Sequence, residues 1–482
     1  MNNISDKKYE FDDSYLCNYF NKFKRTHFIS ELRYLSQKFC MESLLSKNKF
    51  FFICGRVFRK RVMGKSMFID IKDVSGKIQI YVSKKIFCHN YKQLASYLNL
   101  GDIVGIKGNL FITKTKELSV NTYSLVVLSK NLNTFPDKRF GLLDKELCYR
   151  QRYLDLMVSD HTKQLFILRS KIISKVREFF IARDFLEVET PVMQLIPGGA
   201  DAKPFETYHN YLNSKMFFRI SPELYLKRLI VGGFERVFEI GKNFRNEGIS
   251  TRHHPEFTTI EFYQAYSDYR DLMKLTEILF RFLVKSFFNK DSLCYNDILL
   301  NFADSFKRIS FLDSIVEYGK FIQSDLMDKL FLLDVLKSSN IDVDDSLKIS
   351  ELQFKLFEHV VEKKLIQPTF VLHHPVSVSP LSRKLDENED LVERFELYIC
   401  GKEIANGFSE LNDPKEQTLR FLEQLNKKGE YNNAIDKDFI NALNFGLPPT
   451  AGEGIGLDRL VMIFTNSLSI KDVILFPIMK IK

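Results

Sequence analysis

The segment "RVFEIGKNFRNEGISTRHHPEFTTIEFY" (residues 236–263) decides the fold of the larger part of this chain. It begins with "RVFEIG", which is short and mostly apolar or β-prone, and it ends with the alternating "TTIEFY". That alternation places Ile260 and Phe262 on one face of a strand and leaves Glu261 and Tyr263 on the other. The connection between the two strands is either a solvated tip or a loop that binds an anion, because it carries Arg245, Glu247, Arg252, His253 and His254.

The overall composition is that of a globular protein with more than one domain. The chain has 482 residues, of which 45% are hydrophobic and 27% are charged, so we expect two or three domains with sizeable cores. The net charge of +9 favours a polyanionic partner, although the charges are interleaved along the sequence and form no block.

The cysteines and the apolar segments exclude several classes of protein. The seven cysteines are scattered without a CxxC pair, which argues against both a disulfide framework and a zinc site. The N-terminal segment has no apolar leader, and no apolar run reaches the roughly 18 residues of a membrane span. We therefore expect a soluble, cytoplasmic protein with no membrane partner.

The character of the sequence changes along the chain. Residues 1–48 are polar with helical hints, and short strands separated by glycine-containing turns over about 50–130 predict a small barrel or sandwich. Residues 131–156 have the pattern of a linker that enters a helix. From residue 162 the apolar period becomes 3.6, and the strands that follow show no regular βαβ alternation. This pattern favours an antiparallel α+β domain over a Rossmann sheet.

Two glycine-containing segments are candidates for nucleotide-binding loops. "MGKS" (63–66) lacks the glycine that a P-loop needs five residues before Gly64. "AGEGIGLDRLVMIF" (451–464) does not have GxGxxG spacing and predicts a close-packed strand that runs into a helix. Arg459 at the start of that helix opposes the helix dipole, so we expect it to need an external anion.

A candidate metal site lies in "RFELYICGKEIANGFSELND" (394–413), which predicts a β-hairpin around Gly401. If its strands pair, Glu396 and Glu403 converge on one face. Two carboxylates with no histidine nearby suit Mg²⁺, which prefers oxygen ligands and shares them with substrate phosphates. The alternative is a pair of solvated strand residues.

Three segments together resemble the signature motifs of class II aminoacyl-tRNA synthetases: "FLEVETPVM", "FRNE" and "GIGLDRL". The longer segments "CYRQRYLDL", "VETPVMQLIPGGADAKPF", "ISPELYLKRLIVGGFERVFEIGKNFRNEGIS", "GFSELND" and "GLPPTAGEGIGLDR" resemble, in order and spacing, the class II lysyl-tRNA synthetases. The resemblance covers roughly residues 50–482.

The resemblance implies an α+β fold with an N-terminal OB-fold β-barrel and a catalytic domain built on an antiparallel sheet flanked by helices. It divides the chain into an N-terminal extension (1–48), an anticodon-binding domain (49–135), a linker (136–160) and a catalytic domain (161–482). It also implies a homodimer formed through the first motif. The partners are ATP with bound Mg²⁺, L-lysine and tRNA(Lys).

The resemblance also implies roles for individual residues. Arg245 and Arg459 are the catalytic arginines on the α- and γ-phosphates of ATP. The other ATP-binding residues are Glu247, His253, His254 and Phe257. The Mg²⁺ carboxylates are Glu396 and Glu403, and the lysine-binding residues are Gly199, Glu223, Tyr263, Asn406 and Glu410. In the barrel, the anticodon-binding residues are Arg56, Phe68, Gln79 and Glu117.

The chemistry of the residues bears on three of these assignments. Two acids, Glu223 and Glu410, suit the ammonium of a lysine side chain, which is costly to desolvate unless it is paired. His254 stands where the family usually has Asn, so a charged imidazole would add a pH dependence to ATP binding. Phe68 could instead be a core residue of a barrel rich in Phe.

The implied activity is an ATP-dependent ligase that forms lysyl-adenylate and then charges tRNA with lysine. Two alternatives remain at this point. One is a related enzyme that attaches an amino acid to a protein, and such enzymes usually lack the barrel. The other is an RNA-binding protein that has lost the chemistry, which is disfavoured because Arg245, Arg459 and the carboxylate pair are all present.

Overall fold

A computed structural model describes residues 21–38, 49–136, 142, 144–428 and 435–481. The chain divides into two compact units, Met1–Phe140 and Gly141–Lys482. Of the N-terminal extension expected over 1–48, residues 1–20 and 39–48 lie outside the described residues.

The first unit contains a closed barrel with the strand order β1-β2-β3-β5-β4. Strands β3 and β5 pair in parallel, and the other neighbours in the barrel pair antiparallel. The strands of this unit are β1 (Phe51–Met63), β2 (Ser66–Lys72), β3 (Lys77–Ser83), β4 (Ile103–Ile112) and β5 (Leu118–Ser129). Its helices are α1 (Ile29–Lys38), α2 (Lys84–Phe87) and α3 (Tyr91–Tyr97).

Period-2 alternation explains the interior of the barrel. Met67 and Ile69 on β2 are fully buried, while Phe68 between them is only partly buried and lies outside the core. Ile29 and Leu32 of α1 are also fully buried in the barrel core, so this helix contributes apolar packing from within the predicted polar extension.

The second unit is built on an eight-stranded sheet with the order β14-β15-β16-β17-β18-β11-β10-β6. Its strands are β6 (Leu186–Glu187), β10 (Arg236–Phe244), β11 (Glu256–Ala265), β14 (Lys307–Ser310), β15 (Thr369–Leu372), β16 (Arg394–Ile399), β17 (Lys402–Ser409) and β18 (Thr450–Gly456). The neighbours from β15 to β10 are antiparallel, and the two outermost pairs are parallel. The predicted antiparallel α+β architecture is confirmed.

Smaller sheets and helices complete this unit. The remaining strands are β7 (Met193–Gln194), β8 (Glu206–His209), β9 (Ser214–Phe218), β12 (Ser292–Tyr295) and β13 (Ile298–Asn301). The helices are α4 (Lys145–Arg150), α5 (Arg152–Val158), α6 (Asp160–Ile181), α7 (Glu223–Val231), α8 (Tyr269–Phe288), α9 (Phe311–Gly319), α10 (Lys329–Ser338), α11 (Ile349–Val360), α12 (Pro414–Lys428), α13 (Lys437–Asn444), α14 (Leu457–Phe464) and α15 (Ile470–Val473).

One face of the large sheet packs on helices α6 and α8. Ile260 and Phe262 of β11 are fully buried there, and the rings of Phe180 and Phe262 lie 4.6 Å apart. Burying a phenylalanine side chain stabilises a fold by about 1.5–3 kcal/mol. The apolar half of the opening segment therefore anchors the sheet to its helices, as the alternation predicts.

The segment before α6 is fastened to the C-terminal part of the same unit. The guanidinium of Arg152 is buried and donates to the backbone oxygens of Lys471, Ile474 and Leu475. It also pairs with Asp155 at 2.8 Å. The described part of the expected linker thus contains two helices, α4 and α5, held by buried polar contacts.

No helix in the described part of the chain is long and apolar enough to cross a membrane.

Glu453 of β18 is a buried acid on the helix-facing side of the sheet. Its carboxyl accepts a hydrogen bond from Thr276 Oγ1 of α8 at 2.7 Å, and burial raises its pKa to about 8. An unfolded chain has this carboxyl ionised above its ordinary pKa, so the native state binds the extra proton. The stability that Glu453 contributes is therefore present at low pH and is lost as pH rises through about 8.

We expect Glu453→Gln to remove the loss of stability that the unsubstituted chain shows as pH rises. Between pH 7 and pH 9 the free energy of unfolding of the unsubstituted chain should fall by about 1.4 kcal/mol more than that of the variant. Urea denaturation at both pH values measures the difference. Glu178→Gln, at an exposed position on α6, is the control and should leave the pH dependence unchanged. Equal pH dependence in all three proteins would contradict the assignment.

Candidate active site

A cavity of about 750 Å³ is lined by residues of β11, β16, β17, β18 and the connection between β10 and β11. Twelve of the thirteen residues predicted in this unit line it: Gly199, Glu223, Arg245, Glu247, His253, His254, Phe257, Tyr263, Glu396, Glu403, Asn406 and Arg459. The other, Glu410, is buried and does not belong to the lining set. Sequence reasoning therefore predicted a set of residues that the fold brings to one place.

Glycines of β18 make room for the side chains at one end of the cavity. A Cβ on Gly452 would lie 2.2 Å from Tyr263 Cε1 and 2.4 Å from Glu410 Oε1. A Cβ on Gly454 would lie 3.4 Å from Glu261 Cγ. The strand predicted from "AGEGIG" is close-packed, as expected. Its glycines lie against the ring of Tyr263 and the side chains of Glu410 and Glu261.

Gly199, in the loop after β7, also leaves room for neighbouring side chains. Its φ of +85° lies in the left-handed region, which an L side chain rarely adopts. A Cβ there would also lie 3.0 Å from the Cβ of Glu223 and 3.1 Å from Ser221 Oγ. The loop approaches the acidic end of the cavity as closely as the backbone allows.

Glu261 is a cavity acid that the sequence analysis placed on the polar face of β11 without a role. It accepts hydrogen bonds from Ser221 Oγ at 3.0 Å and from Asn243 Nδ2 at 3.2 Å. Burial, followed by the nearby charge of Glu223, raises its pKa to about 7. The alternation of "TTIEFY" was the available signal, because it puts Glu261 on the same face as Tyr263.

Lys227 of α7 was not considered in the sequence analysis. Its side chain is fully buried, and its Nζ lies 2.7 Å from Glu223 Oε1 and also pairs with Glu410 Oε2. Burial opposes the charge on this ammonium, but the two carboxylates outweigh burial and raise the pKa of Lys227. The spacing of four residues from Glu223 on a helix was the signal that could have indicated the pair.

Arginines also line the cavity, among them Arg245 and Arg459. Arg245 closes the strand connection through its backbone N–H, which donates to Pro255 O at 2.9 Å, and its guanidinium lies 5.1 Å from the ring of Phe257. His253 lies in the same connection, where burial and then the charge of Arg459 lower the pKa of its imidazole. The base of the connection, at Arg245, His254 and Pro255, is partly or fully buried at the cavity wall, whereas residues 246–251 are exposed.

Arg459 has a partner within the protein. Its Nη1 donates to the backbone oxygen of Glu403 at 2.6 Å and lies 3.2 Å from Glu403 Oε2. The expectation of an external anion at Arg459 stays a prediction, and the structure adds an internal partner, because strand β17 brings a carboxylate to the start of α14. That carboxylate could not be assigned from the sequence, since β17 and α14 are separated by about fifty residues.

Glu396 and Glu403 both line the cavity but are not directly opposite each other. Glu396 pairs with Asn406 and Glu403 with Tyr398, because a bulge interrupts the register after Leu397. The expected absence of histidine was wrong, since His374 Nε2 lies 3.4 Å from Glu396 Oε2.

Glu396 is held in its ionised form. Burial alone would raise its pKa, but His374 and Arg394 outweigh burial and hold the pKa well below its usual range. Arg394 Nη2 donates to Glu396 at 2.6 Å, and Arg394 Nε donates to Asn406 Oδ1 at 3.1 Å. Two carboxylates that line one cavity, of which Glu396 is held ionised, fit a hard cation that shares its other ligands with phosphate. Among the described residues, no preassembled cluster of three or more metal-ligating side chains occurs.

His254 is occupied by structural hydrogen bonds. Its Nε2 accepts from the backbone N–H of Ile478 at 2.9 Å, which requires the proton on Nδ1, next to Glu256 O. Burial lowers the pKa of this imidazole. The expectation of a pH dependence from a charged His254 is therefore not supported, because protonation of Nε2 would break the contact with the C-terminal segment.

The four predicted anticodon-binding residues lie on the barrel of the first unit. Phe68 and Tyr81 have ring centroids 5.2 Å apart, and Gln79 Nε2 donates to Glu117 Oε2 at 3.2 Å. Arg56 is partly buried and donates to Gly101 O at 2.8 Å. Because Phe68 points away from the barrel core, the alternative of a core residue is wrong.

Comparison with known families matches both units. A sequence model of tRNA synthetases class II (D, K and N) matches residues 144–480, and a model of the OB-fold nucleic acid binding domain matches residues 51–128. The chain therefore belongs to the class II tRNA synthetases.

Individual relatives identify the branch. The chain is 51% identical over 464 residues to a lysine–tRNA ligase of Wigglesworthia glossinidia brevipalpis, covering 95% of this chain and 94% of the relative. It is 48% identical to lysine–tRNA ligases of Histophilus somni (strain 2336) and Buchnera aphidicola, over 96% and 95% of this chain and 93% and 92% of the relatives. Within its class, the chain belongs to the lysine–tRNA ligase family, which confirms the resemblance in the motifs.

We predict that His254→Ala loosens the C-terminal segment. Without the imidazole, the N–H of Ile478 loses its acceptor, so its amide should exchange with solvent faster. Hydrogen–deuterium exchange of a peptide that covers 475–481 measures this. His253→Ala is the matched control, because that ring contacts Ser250 and not the tail. Unchanged exchange in His254→Ala would contradict the assignment.

Proposed function

We propose that this chain activates L-lysine with ATP, forming lysyl-adenylate and pyrophosphate, and then transfers lysine to the 3′-terminal ribose of tRNA(Lys). The observation that carries the proposal is that one cavity is lined by the buried carboxylates Glu223 and Glu261 and by the arginines Arg245 and Arg459. The proposal assigns lysine to the carboxylates, called the acidic end, and ATP to the arginines, called the cationic end. A substrate with ammonium groups at one end and a carboxylate that must meet a triphosphate fits this arrangement.

The acidic end fits the lysine side chain and its α-ammonium. Three buried carboxylates, Glu223, Glu261 and Glu410, face a single internal ammonium, that of Lys227. Lysine supplies two further ammonium groups to this set of carboxyls. Aspartate or asparagine would leave the carboxylates uncompensated, which is costly in a buried site. Gly199, Tyr263 and Asn406 complete the binding site for the amino acid.

The cationic end fits ATP. Arg245 neutralises the α-phosphate, Arg459 the γ-phosphate, and Phe257 stacks on the adenine. Glu247 and His253 lie around the nucleotide, with His254 holding the loop beneath it. The lysine carboxylate attacks the α-phosphorus in line, and pyrophosphate leaves. No general base is needed, because the attacking carboxylate is already ionised, so fixed positive charges provide most of the catalysis.

Mg²⁺ is the cofactor that this donor set suits. Glu396 and Glu403 would hold it, since both offer carboxylate oxygens to the cavity and Glu396 is kept ionised. When bound, the ion neutralises charge on the phosphates of ATP. Arg394 orients Glu396 and Asn406 together, so the metal carboxylate and the amino acid site share one positioning side chain.

The barrel reads the tRNA anticodon in this proposal. Phe68 offers a partly exposed ring for base stacking, which is worth about 1–3 kcal/mol per base. Arg56, Gln79 and Glu117 supply polar contacts that select bases. The proposed domain limits are 49–135 for the barrel, 136–160 for the linker and 161–482 for the catalytic domain.

A second copy of this chain is the partner proposed for the edge of the large sheet. Strand β6 ends the sheet, and apolar side chains around it are exposed, namely Leu186, Val192, Met193 and Leu195. An exposed sheet edge with apolar neighbours favours burial against another chain. The homodimer acts in the cytoplasm, where the substrates of translation occur.

Lysine-dependent exchange of pyrophosphate into ATP tests the proposal. We expect exchange with lysine and none with aspartate, asparagine or arginine. Exchange with another of these amino acids would keep the class and reject the lysine assignment. No exchange with any of them would reject the adenylation chemistry.

Arg245→Ala should abolish the exchange, by at least a hundredfold, because charge on the α-phosphate loses its fixed counter-ion. Binding of tRNA, measured by filter retention, should change less than twofold, since the barrel is untouched. Loss of tRNA binding to the same degree would contradict the separation of the two sites.

Glu261→Gln should raise the KM for lysine at least tenfold and leave the KM for ATP nearly unchanged. The reason is that one of the cavity carboxylates no longer balances an ammonium. Because the pKa of Glu261 lies near 7, lysine binding to the unsubstituted chain should also strengthen as pH rises from 6 to 8. Glu178→Gln is the control, since that acid is exposed on α6 and does not line the cavity. Equal effects of the two variants would reject the role of Glu261.

A further inference from the structure

We propose that Lys227 is a positioning residue for lysine recognition, whose ammonium orients Glu223 and Glu410 and opposes their protonation from behind the cavity. This inference deepens the proposed function and rests on it. Lys227 does not touch the substrate in this arrangement. It acts through the two carboxylates, and through Glu223 it reaches the cavity wall.

The contacts show an ammonium shared by two acids from different elements. Glu223 begins α7, whereas Glu410 follows β17, and Lys227 Nζ pairs with both. The Nζ atom also lies 5.6 Å from the ring of Phe408 and 5.8 Å from that of Phe439. Since this ammonium has no exposed surface, bulk water cannot replace either carboxylate as its partner.

The ammonium of Lys227 does not compete with the substrate, because it lies outside the space in which lysine would bind. Glu223 belongs to the residues that line the cavity, whereas Lys227 and Glu410 do not. The ammonium therefore contacts Glu223 on the side away from the cavity. The other oxygen of this carboxyl remains available on the cavity side, where lysine would bind.

Charge balance explains why a fixed cation is needed there. Burial raises the pKa of Glu223 and Glu410 by more than the charge of Lys227 lowers it, so both carboxyls have a pKa above the ordinary value, and this pKa would be higher still without Lys227. The other groups that face this pair are Glu261 and Tyr263 of β11 and Arg394 of β16. Arg228, the next residue of α7, pairs with Asp436 and Asp438 instead. Lys227 is thus the cation with direct contacts to both acids among the described residues.

Removal of the ammonium has a predictable direction. Without Lys227, two buried carboxyls would lie close together with no shared counter-ion, so at least one would take up a proton at neutral pH. A protonated carboxyl does not balance a lysine ammonium. Lysine binding would then require a higher pH, at which the carboxyls are ionised again.

The test is the pH profile of kcat/KM for lysine in pyrophosphate exchange, measured in full-length Lys227→Met. We expect the rising limb of the profile to move at least one unit to higher pH, with at least a tenfold loss at pH 7. The KM for ATP should stay within twofold. A uniform loss at every pH, or an equal rise in the KM for ATP, would overturn the proposal and leave Lys227 with packing alone.

The double variant Lys227→Met/Glu410→Gln provides the second readout. It removes one charge of each sign, so Glu223 no longer has a carboxylate neighbour in need of a cation. We expect the rising limb of its profile to return to the pH of the unsubstituted chain, at a lower kcat/KM because Glu410 belongs to the proposed lysine site. A double variant whose limb stays at the position of Lys227→Met would contradict charge balance as the cause. Lys227→Gln, which keeps hydrogen-bond donors without the charge, should behave like Lys227→Met and serves if the methionine variant does not fold.

The two proposals fail differently. If the unsubstituted chain catalyses no lysine-dependent exchange, the proposed function is wrong. If it catalyses that exchange and the profile of Lys227→Met is not shifted, only the role of Lys227 is wrong.

Discussion

The alternation of side chains along the antiparallel strands is the constraint on which the rest of the structure depends. The strands β11, β16, β17 and β18 of the large sheet present one set of side chains to the apolar core with helices α6 and α8 and the other set to the cavity. On β11, Phe262 packs in the core and Glu261 faces the cavity; on β18, Glu453 bonds to α8 while Gly452 makes room for Tyr263. A shift of register by one residue would exchange the two sets, so the apolar core and the site support each other.

The cavity brings groups of opposite charge together. Glu223, Glu261 and Glu410 are buried, and the ammonium of Lys227 pairs with two of them. Arginines line the same cavity, and one of them, Arg459, has a carboxylate neighbour in Glu403. Because buried charges interact strongly, the proposed function gives the charge of each substrate a part in how that substrate binds.

Local patterns predicted well what depends on neighbouring residues. The strands on either side of the charged connection, the strand-to-helix segment at 451–464 and the acids on the hairpin of 394–413 follow from alternation and turn residues, and the structure contains all three. The patterns did less well where partners are distant. Arg459 meets Glu403, Glu396 meets His374, and His254 meets the backbone of Ile478, and none of these pairs is close in sequence.

The sequence by itself determined the class of fold, the family and most of the residues that line the cavity. Long ordered motifs and period-2 alternation are local properties, so they can be identified without a structure. Only the tertiary structure decided the charge state of the site. Whether Glu396 is ionised, whether Glu261 titrates near 7 and whether Lys227 is charged all depend on burial and on groups that the fold brings within a few ångströms. The free energy of a charge is set by its surroundings in space, and order along the chain does not specify those surroundings.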